Sequence, residues 1–268
     1  PTTPSLRHLI RLIAPQLKRT RSKSLTIFSK RRSGRNVTGK ITMYHRKSPQ
    51  KRLRLVDHHY RLVNVPGMII NIETDPFRSS FLNLIKYNNG FYIYKIATQG
   101  TYVGSTVITN STVTFEEGSS SSLKFLPEGA LINNLELRPD RGAALSRAAG
   151  TYAVLLSRLE SLAYVKLPSG IVKEFPHNCK ATIGVVSNVQ HGDESLGKAG
   201  LSFHRGKRPR VRGVAMNPID HPHGGGEGKK SKRKGILNFT GSLKKGQKTA
   251  SRKNRFNKNA KGIYPFSI

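Results

Sequence analysis

Thirty-five of the 47 Lys and Arg residues lie outside the middle of the chain, and this distribution constrains the fold more than any other feature. Residues 1–61 carry 17 basic side chains and one acid, Asp57, for a net +16. Residues 205–268 carry 18 basic side chains and two acids, Asp220 and Glu227, for +16 again. Residues 62–204 hold 12 basic and 11 acidic residues and are nearly neutral. Segments with so much like charge and so little apolar surface cannot repay the entropy of ordering by themselves. The ends therefore read as arms that organise against a polyanion, and the middle as the folding unit. A total of +33 argues against a free-standing metabolic enzyme, and two arms of one sign around a neutral core point to nucleic acid. A membrane surface competes, but it asks for a basic amphipathic helix. Only residues 5–17, with Leu6, Leu9, Ile10, Ile13 and Leu17 at helical spacing, offer one. That stretch also reads as a targeting-peptide remnant, without the cleavage pattern of a secretory signal. No apolar run approaches 18 residues, so no membrane span is expected. The single cysteine, Cys179, excludes an internal disulfide framework and multi-cysteine metal sites.

Between residues 62 and 189 short apolar runs recur every 8 to 12 residues with turn residues between them, which predicts small barrels or a sandwich. Strands are expected at 91–96 after Asn88-Asn89-Gly90, at 102–108 after Gly100, at 131–137, at 161–167 and at 181–186. Val165-Lys166-Leu167 and Ile171-Val172-Lys173 flank Pro168-Ser169-Gly170, a hairpin signal. Lys40-Ile41-Thr42-Met43-Tyr44 and Arg54-Leu55-Val56 read as further strands, so the first barrel is expected to begin inside the basic region. The one helix expected is short, 142–149, on its alanines. Tyr44, Tyr92 and Tyr94 could stack on bases, but barrel strands also need aromatics as core.

Three motifs could carry chemistry. Gly34-Arg35-Asn36-Val37-Thr38-Gly39-Lys40 nearly matches a nucleotide phosphate loop, but Ile41 stands where a magnesium-binding Ser or Thr is needed and no apolar strand precedes it. The Asn-x-Ser/Thr triplets at Asn36, Asn110 and Asn238 are of a kind that chance supplies. The segment 212–228, running Asn217-Pro218-Ile219-Asp220-His221-Pro222-His223-Gly224-Gly225-Gly226, is different in kind. Its prolines and glycines forbid regular structure and let backbone approach another surface closely. Asp220, His221 and His223 fall short of a zinc ligand set on their own. They suit a metal, an acid–base pair or, best, hydrogen bonds to phosphate, ribose and base edges.

This segment resembles the hallmark loop of the large-ribosomal-subunit protein two family, universal uL-two, and the resemblance extends over nearly the whole chain. Pro1 to Ser5 with Arg7-His8, Gly34-Arg35-Asn36 before Gly39-Lys40-Ile41-Thr42, Asp75-Pro76-Phe77-Arg78-Ser79, Arg147-Ala148-Ala149-Gly150-Thr151, Leu167-Pro168-Ser169-Gly170 and Leu196-Gly197-Lys198-Ala199-Gly200 follow the family's order. The resemblance implies an oligonucleotide-binding (OB) barrel followed by an SH3-like barrel, with extensions that penetrate RNA near the peptidyl transferase centre. It matches Arg78 and Arg147 to RNA-binding positions and His221 to a histidine tied to assembly of that centre, whose chemistry belongs to RNA. The chain departs from the family's glycine-rich pattern at residues 45–52, replaces a more apolar linker with the Ser-rich stretch 116–122, and ends in Tyr264-Pro265-Phe266-Ser267-Ile268 instead of a basic run. The Asp-His-Pro-His form looks bacterial or organellar, and the divergence elsewhere suggests a mitochondrion, with plastid or bacterial cytoplasm as alternatives.

The sequence thus leads to a mainly β protein: a basic extension at 1–33, an OB module at 34–115, an SH3-like module at 116–190 and a basic extension at 191–268. Its expected role is structural, binding large-subunit rRNA and neighbouring ribosomal proteins, with small-subunit rRNA at a subunit bridge as a further partner and no membrane, metal, cofactor or catalytic residue. A basic DNA-packaging protein is the alternative. The RNA contacts nominated in the first half are Arg35, Lys40, Arg46, Arg52 and Arg78, followed by Arg147. In the C-terminal extension they are Arg205, Lys207, Arg210 and Arg212, then Asn217, Asp220, His221, His223 and Lys229.

Overall fold

The computed structural model describes residues 2–12, 22–28, 33–46, 52–60, 62–110, 116–226, 235–243 and 245–246. Strands dominate, and the chain divides into two compact units. The first comprises residues 1–31 and 49–201, and the second residues 32–48 and 202–268.

In the first unit, Gly67–Thr74, Phe81–Tyr87, Tyr92–Ile96 and Thr106–Val107 form a four-stranded antiparallel sheet. A bulge between Ile69 and Asn71 decides what each face carries. Strict alternation would send Ile69 and Ile72 to opposite faces, and the extra residue brings both into one core with Ile85, Tyr87 and Val107. Glu73 then falls on the other face, where Leu82, Tyr94 and Ile96 pack with Val186. The turn at Asn88-Asn89-Gly90 closes as a three-residue hairpin loop: the Tyr87 N–H donates to the Phe91 carbonyl at 2.9 Å, and Gly90 takes the left-handed conformation, φ 87°.

The same unit holds a seven-stranded sheet, in the order Val172–Pro176, Leu162–Lys166, Ala153–Arg158, Leu131–Asn133, Lys180–Ile183, Ser120–Ser122, Thr109–Asn110. Every pairing is antiparallel except the last. Its core gathers Leu123, Leu126, Ile132, Leu135, Leu155, Val165 and Phe175. The hairpin expected at Pro168-Ser169-Gly170 is present, with Val165 opposite Lys173 and Gly170 at φ 81°. Cys179 is buried against the same core, which pushes its thiol up to about 11 and leaves it protonated.

Several local expectations are corrected. Residues 142–149 are not helical: Ala143–Leu145 is a strand paired with Leu135–Glu136. Gly142 and Ser146 are left-handed, and the Ala143 N–H donates to the His58 carbonyl at 2.7 Å, so the donors a helix would need are spent elsewhere. Among the described residues the α-helix is Ala199–His204. The Ser-rich stretch is partly a strand, because Ser120–Ser122 pairs with Lys180–Thr182 and the Ser120 and Thr182 hydroxyls lie 2.9 Å apart. Tertiary pairing overrides serine's weak strand preference. Residues 40–44 form no strand; Asn36 turns the chain, its Oδ1 accepting from the Thr38 hydroxyl at 2.7 Å and the Lys40 N–H at 3.0 Å. Nor is the start of the chain an amphipathic helix. Pro4–Leu6 is one 3-10 turn, and Leu9–Ile10 pairs with Ser195–Leu196; residues 13–17 lie outside the described residues. The 102–108 run keeps only Thr106–Val107 as a strand, because Gly104 turns at φ 99°.

The second unit joins residue stretches from both arms. Arg46 and Lys207 form an antiparallel bridge, and the Arg208 N–H donates to the His45 carbonyl at 3.1 Å. Leu237 and Leu243 are bridged in the same unit, where Tyr44 meets Phe239 edge to face at 5.0 Å.

Candidate nucleic-acid interface

Arg78 and Arg147 are 69 positions apart in sequence, yet one histidine serves both. Arg78 leaves the turn after Gly67–Thr74, where the Asp75 carboxylate accepts the Phe77 N–H at 3.0 Å and fixes the backbone. The Asp75 Oδ2 lies 3.5 Å from the Arg78 Nε, and the Arg78 Nη2 lies 3.3 Å from the His58 Nε2. Arg147 donates to the Ala143 carbonyl at 3.1 Å, and Ala143 in turn donates to the His58 carbonyl. Ser79 ties the two segments directly: its hydroxyl accepts the Ala149 N–H at 3.1 Å, and its carbonyl accepts from the Asn188 amide at 2.6 Å. Both guanidiniums are half-buried. Burial lowers the Arg78 pKa from its usual value, with Arg147 adding to the shift and Asp75 opposing it. The two planar cationic forks, Arg147 tied to a backbone carbonyl and Arg78 to a ring nitrogen beside a carboxylate, have the donor chemistry that suits an anion.

Of the remaining nominees, Arg52 sits in the first unit, Lys229 lies outside the described residues, and the others sit in the second unit. Arg35, Lys40, Arg46, Arg205, Lys207, Arg210 and Arg212 are all exposed. Arg46 and Lys207 are brought side by side, and the Arg46 Nε reaches the Met43 sulfur at 3.2 Å. Arg52 belongs to the strand Arg52–Arg54, paired with Thr26–Phe28 in the first unit. Lys229 lies outside the described residues.

The loop from residue 212 to 226 folds on itself. The Asp220 N–H donates to the Asn217 carbonyl at 3.0 Å, and the Gly224 N–H to the His221 carbonyl at 2.7 Å. His221 and His223 stack with centroids 5.2 Å apart; the His221 Nδ1 accepts the His223 N–H, and the His223 Nε2 accepts the Leu237 N–H at 2.8 Å. Both imidazoles are thus acceptors for backbone, an arrangement that orients rings and leaves Asn217 and Asp220 exposed. The glycines serve close approach: a Cβ on Gly213 would stand 2.4 Å from the His221 ring, and one on Gly224 2.2 Å from the Asn217 carbonyl. Gly225 and Gly226 face open space. Among the described residues no group of three or more His, Cys, Asp or Glu is placed to hold a metal.

His58 and Lys95 were not nominated from sequence. Lys95 lies in the sheet interior, its Nζ donating to the Thr109 hydroxyl at 2.9 Å and lying 5.4 Å from the Tyr60 ring. Burial drives it down to about 8. Of the tyrosines offered for stacking, Tyr94 is core, whereas Tyr44 and Tyr92 are exposed.

A β unit built on the nearly neutral stretch 62–204, with Arg78 and Arg147 in one hydrogen-bonded frame, beside a second unit with exposed cations, has the make-up of a polyanion-binding β protein. Residues 22–109 match the family model described as Ribosomal Proteins L2, RNA binding N-terminal domain, and residues 116–241 match Ribosomal Proteins L2, C-terminal domain. The chain is 42% identical over 261 residues to the large ribosomal subunit protein uL2 of Amoebophilus asiaticus, covering 97% of this chain and 94% of that protein. It is 43% identical to uL2m of Reclinomonas americana, covering 96% and 94%, and 41% identical to uL2 of Dinoroseobacter shibae, covering 94% and 91%. The chain belongs to the ribosomal protein L2 family. Nothing among these relatives supports the DNA-packaging alternative.

Proposed function

We propose that this protein is a structural constituent of the large ribosomal subunit, where it binds rRNA and neighbouring ribosomal proteins and performs no catalysis. The observation that supports the reading is the hydrogen-bonded frame that ties both Arg78 and Arg147 to His58, a fitting arrangement for two forks aimed at phosphate. Two RNA-docking modules, an OB barrel at 34–115 and an SH3-like barrel at 116–190, form the body of the protein. The OB module contributes Arg35, Lys40, Arg46 and Arg52 as contacts, and the extensions at 1–33 and 191–268 neutralise further phosphates, with Arg205, Lys207, Arg210, Arg212 and Lys229 as contacts. The loop at 212–228 presents Asn217, Asp220, His221 and His223 near the peptidyl transferase centre, and small-subunit rRNA is met at a subunit bridge. A mitochondrial ribosome is the proposed location, supported by the divergent stretches at 45–52 and 264–268 and by the relative designated uL2m.

The test is filter binding to a large-subunit rRNA transcript with excess duplex DNA as competitor. Arg78→Ala and Arg147→Ala should each weaken binding about tenfold or more, a loss of at least ~1.4 kcal/mol, and Lys234→Ala much less. Equal losses across the three variants, or full competition by DNA, would overturn the assignment. Co-sedimentation of the tagged protein with large subunits from isolated mitochondria tests the location.

A further inference from the structure

The His58 imidazole is partly enclosed, and its hydrogen bonds are mismatched. The His58 Nε2 lies 3.3 Å from the Arg78 Nη2, a donor that cannot accept, so in the neutral ring Nε2 is the acceptor and Nδ1 carries the proton. The Nδ1 atom is buried and has no hydrogen-bond partner. On its backbone side the His58 carbonyl accepts the Ala143 N–H at 2.7 Å, and the Ala143 carbonyl accepts from the Arg147 Nη1 at 3.1 Å. One residue therefore holds Arg78 through its ring and Arg147 through its main chain. The charged and titratable groups acting on the ring are Arg147, Arg78 and His59, which oppose protonation, and Asp57, which favours it. The Asp57 carboxylate is engaged by the His59 N–H at 3.0 Å, and Asp75 is turned to Arg78. Two guanidiniums outweigh one carboxylate, so the surroundings of the ring disfavour a third cation.

We propose that His58 is a positioning residue that aims the arginine pair at an RNA phosphate and takes up a solvent proton when the phosphate docks. This rests on the reading of Arg78 and Arg147 as RNA contacts. A phosphate brings negative charge to the place where the guanidiniums converge, reversing the local balance. Once protonated, the Nε2 donates and can no longer accept from Arg78, so the Arg78 Nη2 is released to the phosphate and the imidazolium adds a donor of its own. In the free protein, burial, Arg147 and Arg78 hold His58 at about 4, neutral at physiological pH. The sign follows by linkage: between the free and the bound pKa the complex binds up to one proton more than its separated parts. Affinity therefore rises as pH falls through the bound pKa and levels off below the free one, and at pH 7.5 the ring acts as the neutral acceptor.

Filter binding of the full chain to a large-subunit rRNA transcript at constant salt, at pH 7.5 and 5.0, tests this with His58→Gln and His58→Leu. Glutamine keeps a neutral acceptor for Arg78 and cannot titrate; leucine removes the acceptor. Between the two pH values wild type should gain about tenfold more affinity than His58→Gln, the gain expected if docking raises the His58 pKa by about two units. At pH 7.5 His58→Gln should bind like wild type and His58→Leu several-fold more weakly, with urea melts confirming that both are folded. A wild-type pH profile in His58→Gln, or wild-type affinity at pH 7.5 in His58→Leu, overturns the inference. If Arg78→Ala and Arg147→Ala lose binding in that same series, the site stands and only the role of His58 falls. If they bind normally, both fall.

Discussion

The buried ion pair beneath the four-stranded sheet sets a measurable limit on how the first unit can be altered. The Arg54 Nε donates to the Glu73 Oε2 at 2.7 Å, with side-chain exposures of 8% and 1%. The same Oε2 accepts from the Tyr94 hydroxyl at 3.0 Å, and the Oε1 from the Asn71 amide at 3.0 Å. Glu73→Leu removes the counter-charge and strands a guanidinium and a phenol in a dry site. Breaking such a pair from one side costs about 3 to 5 kcal/mol, because the surviving charge loses its compensation without regaining water. For a domain of this size each kcal/mol shifts Tm by about 2 to 4 °C, so the variant should melt roughly 10 °C lower.

The chain has no tryptophan, so urea unfolding is followed by far-UV circular dichroism. The double variant Arg54→Met/Glu73→Leu separates charge from packing. Replacing both partners by apolar groups of similar size is close to neutral in comparable sites, so it should recover most of the loss. A Glu73→Leu protein within about 0.5 kcal/mol of wild type would refute the reasoning, since that is the range of substitutions away from special features. A double variant no better than the single one would show that hydrogen bonds, not charge, decide the cost. Binding is affected too: Arg54 closes the strand Arg52–Arg54 three residues before Asp57, and the pair therefore anchors the backbone that delivers His58.

Gly213→Ala should push the His221 ring from its place, given the 2.4 Å approach of the added carbon, and lower incorporation into large subunits severalfold while the urea midpoint of the purified protein stays unchanged; normal incorporation would refute the packing account. Lys95→Met should stabilise the protein at pH 7. A buried lysine held at about 8 binds fewer protons folded than unfolded between pH 8 and 10.5, so wild-type stability should climb by about 2 kcal/mol from pH 7 to 9.5, a rise absent from Lys95→Met in urea titrations at the two pH values. Truncation after residue 204 removes 18 Lys and Arg and should flatten the log–log salt dependence of rRNA binding by about 0.7 to 0.9 for each phosphate that the arm neutralises; an unchanged slope would mean that this arm touches no phosphate.

Features that are local in sequence were the legible ones. The hairpins at Gly90 and Gly170 need a left-handed residue at one position, and that requirement is written in three or four letters. The mainly β character and the division of charge were equally readable. Residues 142–149 were misread because alanine content favours a helix, whereas the deciding partner, the His58 carbonyl, lies some 85 residues upstream in a different segment. Ser120–Ser122 gave no strand signal because its stability comes from Lys180–Thr182, not from its own side chains. Arg78 and Arg147 were found through the family pattern alone, and His58 stayed hidden since its partners are 20 and 89 positions away. Burial of Lys95 was invisible for the same reason: a lysine in an alternating strand reads as solvent-facing.

The two units present cations in physically different ways, and this separates their contributions to binding. In the first unit Arg78 and Arg147 are half-buried and tied to Asp75, His58 and a backbone carbonyl, so under the proposed function they would lose little freedom on meeting a phosphate and the interaction would be geometric. In the second unit Arg35, Lys40, Lys207, Arg210 and Arg212 stand at the surface, where attraction is long-ranged, screened by salt and driven by counterion release. Substituting an arginine of the pair should therefore lower affinity at every salt concentration while changing the salt slope by the equivalent of about one phosphate. Removing several exposed cations should change the slope more than the affinity at low salt. If Arg78→Ala flattened the slope as much as the 205–268 truncation, the pair would be acting as bulk charge, and the hydrogen-bonded frame around His58 would have no function in recognition.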